Sequence, residues 1–200
     1  WWMVTSGLFD RLDVSPVRLA IHLWMALLIL ALTLWTAMGA FAWPGRPSSL
    51  GMPRAMALSV AALIFVQAMF GALLAGADGG AAYADWPRIG GEWLPSSAFG
   101  LEPIWRNFSE DHATQHLLHR NLGYVVALTA LVVALGALFR GSGAARWCAI
   151  LLGLAAVTQA GLGIVTVLGG STLTPSLLHQ GAAVLLWTTS IATARAAVVT

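Results

Sequence analysis

Five long apolar stretches dominate the sequence, and they constrain the fold more than any other feature. Each has about 20 residues or more, the length at which a helix rising 1.5 Å per residue crosses the hydrocarbon core of a bilayer. Only 9% of the residues are charged, against roughly 25% in soluble domains. The sequence therefore predicts an all-α polytopic membrane protein with five transmembrane helices. They are expected at about residues 16–42, 54–76, 113–139, 146–168 and 176–194.

The connections between the apolar stretches predict how the helices are arranged. Three of them are short, at roughly 7 to 12 residues, which favours antiparallel neighbours. We therefore expect a lead-in at residues 1–15, a first helix from Pro16 to a stop at Trp43-Pro44-Gly45, and an antiparallel four-helix bundle over residues 54–196. The long loop 77–112 is the exception, and loops of that length usually have a function. Its aromatic residues suit either an interfacial belt or a lid over a cofactor.

Arginine placement predicts the orientation of the helices. The short connections carry Arg46, Arg54, Arg140 and Arg146, and Arg195 ends the last apolar stretch. Because positive residues concentrate on the cytoplasmic side, we expect these ends and the C-terminus in the cytoplasm of a bacterial cell, and loop 77–112 on the periplasmic side of the inner membrane.

Charge and cysteine content exclude several classes of function. The net charge of +2 comes from scattered arginines, so no nucleic-acid partner is indicated. We expect membrane lipid to surround the helices. Cys148 is the only cysteine, which excludes an intramolecular disulfide and a cysteine-held iron–sulfur or zinc site within this chain. The chain starts at Trp1 without an initiator Met, and we expect it to be a piece of a longer protein.

Three histidines are the main candidates for chemistry. His22, His119 and His179 each lie near the start of a helix predicted to run inward, at a similar depth near the outer face. Histidines inside a membrane are rare and usually functional, and imidazole is a common ligand for metals and haem iron. The fourth residue after each histidine is small, which leaves room for a flat macrocycle against the helix; these residues are Ala26, Gly123 and Ala183.

Other readings of the polar residues stay open from the residues alone. His112, His116 and His119 share a helix face, as in a zinc-binding helix, although His112 and His116 also suit the water interface. Arg120 needs a counter-charge, for which Glu110, Asp111 or an anionic group such as a haem propionate is available.

A short internal repeat links two of the helices. Helices two and four share the pattern Gln67-Ala-Met-Phe-Gly71 and Gln159-Ala-Gly-Leu-Gly163, which indicates an old duplication. The two glutamines are expected to make hydrogen bonds between helices rather than to act as catalytic groups.

Several longer motifs resemble those of the heme A synthase family, in its mitochondrial and proteobacterial branch. They cover nearly the whole chain, and the most specific is the loop from Ala75 to Trp93. His116-Leu117 departs from the Gln-Phe usual in the family, which leaves the role of His116 open. The other matching motifs are Trp2-Met-Val-Thr-Ser-Gly-Leu8, Arg18-Leu-Ala-Ile-His22, Arg106-Asn107-Phe108, His119-Arg120 with Tyr124, Gln159 to Gly163, and Leu178-His179-Gln180.

The resemblance implies a fold and an activity. Family members have eight spanning helices in two four-helix halves, so the chain would be the fourth helix plus the C-terminal half, with the bundle surrounding a haem. His119 and His179 would be axial ligands of an electron-relaying heme b, with Arg120 beside it. His22 would be one ligand of the site where heme O, the substrate, has a methyl group oxidised to a formyl group. Catalytic residues and the second ligand of that site would lie in the other half.

Partners and rival functions follow from the same resemblance. Heme O synthase, the assembly machinery of cytochrome c oxidase and an unidentified electron donor are the expected partners. The main alternative is a membrane cytochrome b subunit that carries electrons without converting heme O. A transporter with histidines as a proton relay would bind no haem, and the sequence offers it neither broken helices nor a midplane charge.

Overall fold

The computed structural model describes residues 2, 5, 14–40 and 48–197, which form helices and loops with no β-strand among them. Five helices are long: α1 (Pro16–Ala40), α2 (Arg54–Gly76), α4 (His112–Arg140), α5 (Gly143–Leu168) and α6 (Leu173–Ala196). A single turn, α3 (Asn107–Glu110), and two 3₁₀ turns (Gly79–Ala81 and Ile104–Arg106) lie in the long loop. The all-α prediction is confirmed.

Four of the long helices, α1, α2, α4 and α5, are apolar and long enough to cross a membrane. At 24 residues, α6 has the necessary length, but it carries more polar residues, including Ser176, His179 and Arg195. The structure therefore supports four spanning helices by composition, and the fifth stays a prediction.

The helix boundaries differ from the predicted ones at several ends. Helices α5 and α6 each begin three residues earlier than expected, at Gly143 and Leu173. The connections are consequently shorter than predicted, because only Gly141 and Ser142 separate α4 from α5. The expected stop at Trp43-Pro44-Gly45 and most of the lead-in 1–15 lie outside the described residues.

The helices pack as a closed ring of four with α1 outside it. Contacts join α2 to α4, α4 to α5, α5 to α6, and α6 back to α2, while α1 packs against α2 and α6. Neighbours in the ring run antiparallel: Met52 near the start of α2 meets Gly136 near the end of α4, and Gly153 of α5 meets Ala134 of α4. Fully buried alanines, including Ala130, Ala137, Ala145 and Ala149, permit the close approach of α4 and α5.

A stack of three aromatic rings attaches α1 to the ring of four. Trp24 stacks on Phe65 of α2 with ring centres 4.7 Å apart, and Phe65 lies 5.5 Å from Trp187 of α6. The Trp187 indole donates to the Leu27 carbonyl at 2.9 Å, and that of Trp24 donates to the Phe65 carbonyl at 2.6 Å. Buried rings with satisfied N–H groups contribute both apolar area and a defined geometry.

The two arginine-bearing connections at one end of the molecule are bonded to each other. Ser49 and Ser142 exchange backbone hydrogen bonds of 3.2 and 2.8 Å, and the Ser48 hydroxyl accepts from the Ala145 backbone N–H of α5 at 2.8 Å. These contacts bring the starts of α2 and α5 and the end of α4 together. They confirm that the connections share one end of the bundle, which the arginine pattern had assigned to a single side.

The long loop at the other end is held by polar contacts. Asp85 accepts from the backbone N–H groups of Gly90 and Gly91 at 2.9 and 2.8 Å, and these bonds hold the pKa of its carboxyl below the usual value. The buried Asn107 bonds the Leu101 backbone on both its N–H and its carbonyl. A segment without regular secondary structure is thereby fixed in one conformation.

The loop aromatics are largely exposed. Trp93 and Trp105 keep 69% and 68% of their surface accessible, so they project from the molecule, as residues of an interfacial belt do. Trp86 differs, because its indole N–H donates to the Tyr124 hydroxyl of α4 at 2.9 Å. This contact places one edge of the loop against the outer part of α4.

Candidate functional site

His119 of α4 and His179 of α6 meet in the interior of the ring of four helices. Their ring centres are 6.4 Å apart, with the ring planes 84° to each other. They come from helices that are opposite each other in the ring, so both imidazoles project toward its axis. The sequence placed these two residues about 60 positions apart at one depth, and the structure brings them together.

Each imidazole lies on a glycine of a neighbouring helix. A Cβ atom at Gly71 of α2 would lie 2.8 Å from Cε1 of His119, and one at Gly163 of α5 would lie 3.0 Å from Cε1 of His179. Both distances are shorter than ordinary contacts, so only glycine leaves these rings their present position. The glycine that ends each copy of the internal repeat therefore has the same role in both helix pairs.

The glutamines that begin the two copies of the internal repeat contact the same two rings. The Gln67 amide nitrogen lies 3.0 Å from Nδ1 of His119 and donates to the His119 backbone carbonyl at 2.9 Å. The Gln159 amide nitrogen lies 3.3 Å from Nε2 of His179. Both glutamines make hydrogen bonds between helices, as predicted, although the sequence did not indicate that histidines would be their partners.

One of the small residues after the histidines contacts a neighbouring helix. A Cβ atom at Gly123, four residues after His119, would lie 3.2 Å from the amide nitrogen of Gln67. The absence of a side chain at Gly123 thus makes room for Gln67. Space for a macrocycle beside the small residues stays a prediction.

Arg120 pairs with the long loop instead of with an acidic side chain. One terminal nitrogen donates to the carbonyls of Asp85 and Arg88, each at 2.8 Å. The other donates to the Tyr83 carbonyl at 3.0 Å and lies 3.0 Å from Nδ1 of His116. Glu110 and Asp111, two of the three candidate counter-charges, are used elsewhere, and the third, an anionic group such as a haem propionate, stays a prediction.

Glu110 and Asp111 each have a local partner. The Arg106 guanidinium bonds Glu110 at 2.7 Å, which lowers the pKa of the Glu110 carboxyl and raises the pKa of Arg106. Asp111 caps α4, accepting from the backbone N–H groups of Ala113 and Thr114. Arg120 is therefore held by the dipoles of loop carbonyls.

His116 is buried, contrary to the interfacial position expected for it. It is 0% exposed; its Nε2 lies 2.9 Å from the Gly79 carbonyl, and its Nδ1 faces Arg120. Both ring nitrogens are occupied, so His116 has none left for a metal. Among the described residues, no group of three or more His, Cys, Asp or Glu could hold a metal ion, which removes the zinc reading of His112, His116 and His119.

His22 is separate from the histidine pair. It lies on α1 with its side chain exposed and makes no hydrogen bond with the described residues. Because Leu27 of α1 contacts Trp187 of α6, His22 and His179 differ in depth by roughly 5 Å at 1.5 Å per residue. This small difference agrees with the predicted similar depth of His22 and His179 near the outer face. A ligand role for His22 stays a prediction.

The spacing of the histidine pair fits a haem iron between the two rings. An iron bound by one nitrogen of each ring at about 2 Å would separate the ring centres by roughly 6 Å, close to the 6.4 Å observed. Nδ1 of His179 is buried without a hydrogen-bond partner, and such atoms normally find one. The donor set of two neutral imidazoles also suits iron in a porphyrin.

Comparison with known proteins identifies the family of the chain. The family model described as cytochrome oxidase assembly protein matches residues 1–191. The heme A synthase of Roseobacter denitrificans is 41% identical over 196 residues, which cover 94% of this chain and 51% of the relative. The chain belongs to the heme A synthase family.

Other heme A synthases give similar values. That of Rhodopseudomonas palustris strain TIE-1 is 40% identical over 190 residues, or 94% of this chain and 51% of the relative. That of Maricaulis maris is 37% identical over 194 residues, or 97% of this chain and 57% of the relative. The chain thus spans about half the length of the curated heme A synthases it matches. No solved structure matches it.

Proposed function

We propose that this chain is the part of a heme A synthase that holds an electron-relaying heme b between His119 and His179. The complete enzyme would oxidise the methyl group of heme O to a formyl group, making heme A for cytochrome c oxidase. The observation that carries the proposal is the convergence of the two imidazoles, 6.4 Å apart, from α4 and α6. Family membership supplies the haem substrate class.

The chain's own residues would bind and enclose the haem group. When bound, haem iron supplies one-electron chemistry. His119 and His179 would hold the haem iron through their ring nitrogens, and two imidazole ligands suit electron transfer. Gly71 and Gly163 allow the rings their positions, and the packed helices α2, α4, α5 and α6 exclude water. Arg120 keeps the loop residues 83–91 against the outer end of α4.

The arrangement in the membrane is part of the same proposal. All five long helices would span the bacterial inner membrane, with loop 77–112 periplasmic and the C-terminus cytoplasmic. The exposed His22 would face helices of the N-terminal half and serve as one ligand of the heme O site there. Membrane lipid, heme O synthase, the cytochrome c oxidase assembly machinery and an unidentified electron donor would be the partners.

Conversion of heme O tests the function directly. A form extended upstream by the N-terminal half is expected to produce heme A in cells that make heme O but lack a heme A synthase, as measured by pigment extraction and chromatography. The present chain alone is expected to bind heme b without producing heme A. Bound heme b with no heme A from the extended form would instead support the cytochrome b alternative.

Replacing the glycines beneath the rings is expected to weaken haem binding. Gly71→Ala and Gly163→Ala place a Cβ atom at 2.8 and 3.0 Å from the imidazoles, so each ring must turn away from its ligating position. We expect a loss of haem affinity of about tenfold or more, since ligand orientation is worth that much at metal sites. Haem titration followed by absorbance measures it.

Gly161→Ala is the matched control for these variants. Gly161 lies on α5 two residues from Gly163, and a Cβ atom there meets nothing within 4 Å. Haem affinity should equal that of the parent, with helix stability slightly raised. Equal affinity in Gly163→Ala and Gly161→Ala would contradict the role assigned to Gly163.

A further inference from the structure

Two glutamines occupy equivalent places beside the two histidines. Gln67 lies on α2 beside His119 of α4, and Gln159 lies on α5 beside His179 of α6. Each stands four residues before the glycine that meets the same ring. One arrangement of glutamine, glycine and histidine is therefore used twice, on opposite sides of the same interior.

Each of these contacts leaves polar atoms unpaired. Oε1 of Gln67, Oε1 of Gln159 and Nδ1 of His179 are all buried without a hydrogen-bond partner. Buried polar atoms in folded proteins are nearly always paired. An amide oxygen is an acceptor and an imidazole N–H is a donor, and a half-turn of an amide exchanges its oxygen and nitrogen. A half-turn of the Gln159 amide would therefore set its oxygen against Nε2 of His179 and leave Nδ1 of that ring without a partner. Gln67 is held in its present orientation, because its amide N–H donates to the His119 carbonyl.

Metal binding would define which of these atoms pair. A histidine that binds a metal through one ring nitrogen keeps a proton on the other and almost always donates it to a nearby acceptor. That bond fixes the orientation of the ring and raises its basicity. His179 already has Nε2 toward Gln159, while its Nδ1 has no hydrogen-bond partner among the described residues.

We propose that Gln159 is a positioning residue for a haem ligand. Its amide oxygen accepts the ring N–H of His179 when the opposite ring nitrogen holds iron. The inference rests on the proposed haem site, and it assigns to Gln159 a bond to the ligand rather than to iron or substrate. It also gives the buried amide oxygen of Gln159 a hydrogen-bond partner.

Variants at Gln159 test the inference on the purified, haem-loaded chain. Gln159→Leu removes the acceptor and is expected to weaken haem binding by about 10- to 100-fold. Gln159→Glu keeps an acceptor and adds negative charge beside the ligand. It is expected to retain haem and to lower its midpoint potential, because the charge favours ferric over ferrous iron. A purely structural glutamine would affect thermal stability without moving the potential.

Asn121 offers a matched control on α4. Its exposed side chain lies two residues from His119 and donates only to the Leu117 carbonyl of its own helix, at 2.9 Å. Asn121→Leu and Asn121→Asp make the same chemical changes as the glutamine variants without reaching the ring. Both should keep the parent's haem affinity and midpoint potential.

The outcomes separate the inference from the proposed function. If Gln159→Glu keeps the parent's midpoint potential while His179→Ala loses the haem, the inference is overturned and the haem site stands. If His119→Ala and His179→Ala both keep the parent's haem, the proposed site fails and the inference fails with it. Gln159→Glu, with an acceptor and similar size, keeps the test decisive should Gln159→Leu not fold.

Discussion

His119→Ala is expected to abolish the six-coordinate low-spin spectrum of the haem-loaded chain, and His179→Ala is expected to do the same. Each imidazole would supply one ligand to the haem iron, so removing either leaves the iron with one protein ligand. Haem affinity should fall by at least 10- to 100-fold, which is the loss typical of removing only a hydrogen-bond partner of a metal ligand. Absorbance spectra of the oxidised and reduced chain in detergent measure the effect.

His112→Ala is the control for the ligand variants. His112 also lies on α4, but its ring contacts Gln115 at 3.3 Å and lies a full two turns before His119. Its spectrum should match that of the parent. A low-spin spectrum that survives in one of the two alanine variants would remove that histidine from the ligand pair.

Arg120→Leu is expected to release the long loop from the helices. The substitution leaves the carbonyls of Tyr83, Asp85 and Arg88 and the buried Nδ1 of His116 without their donor. A hydrogen bond to a charged group is worth about 1.5–3 kcal/mol, and Arg120 is only partly buried. We therefore expect the free energy of local unfolding of the loop to fall by about 2–4 kcal/mol. This is less than the sum over the four hydrogen bonds, because bonds that share one side chain are not additive.

Hydrogen exchange provides the measurement for Arg120. Amides of loop residues 83–91 should exchange faster in Arg120→Leu, while those in the interior of α5 keep the parent's rate. Arg106→Leu is the control, because it breaks an exposed pair with Glu110 that should contribute little. Unchanged loop protection in Arg120→Leu would show that other contacts, such as Trp86 with Tyr124, suffice to hold the loop.

The helices and the central histidine pair were predictable because both depend on periodic, local signals. Long apolar stretches mark helices, and rise per residue fixes the relative depth of His119 and His179. The ends of the helices were less predictable, since Gly143 and Thr172 lie in stretches where short connections and helix starts have the same composition. The polarity of α6 also makes its spanning role less evident than its length suggests.

The pairing of polar side chains could not be read from the sequence. Nothing local distinguishes Glu110 from a loop carbonyl as a partner for Arg120, because the carbonyls belong to residues 32 to 37 positions away. The burial of His116 has the same origin, since the 3₁₀ turn that covers it comes from another part of the chain. The internal repeat of glutamine and glycine was a usable signal, but that histidines are its partners could be seen only from the three-dimensional contacts.

The aromatic stack of Trp24, Phe65 and Trp187 bears on how this half would cooperate with another. It fastens α1, which carries His22, between α2 and α6, which carries His179. The two helices run parallel and share the bond from Trp187 to Leu27. His22 and His179 are therefore carried by helices that pack directly against each other. If each histidine holds a haem iron, as proposed, the distance between the two irons is set by the packing of α1 on α6.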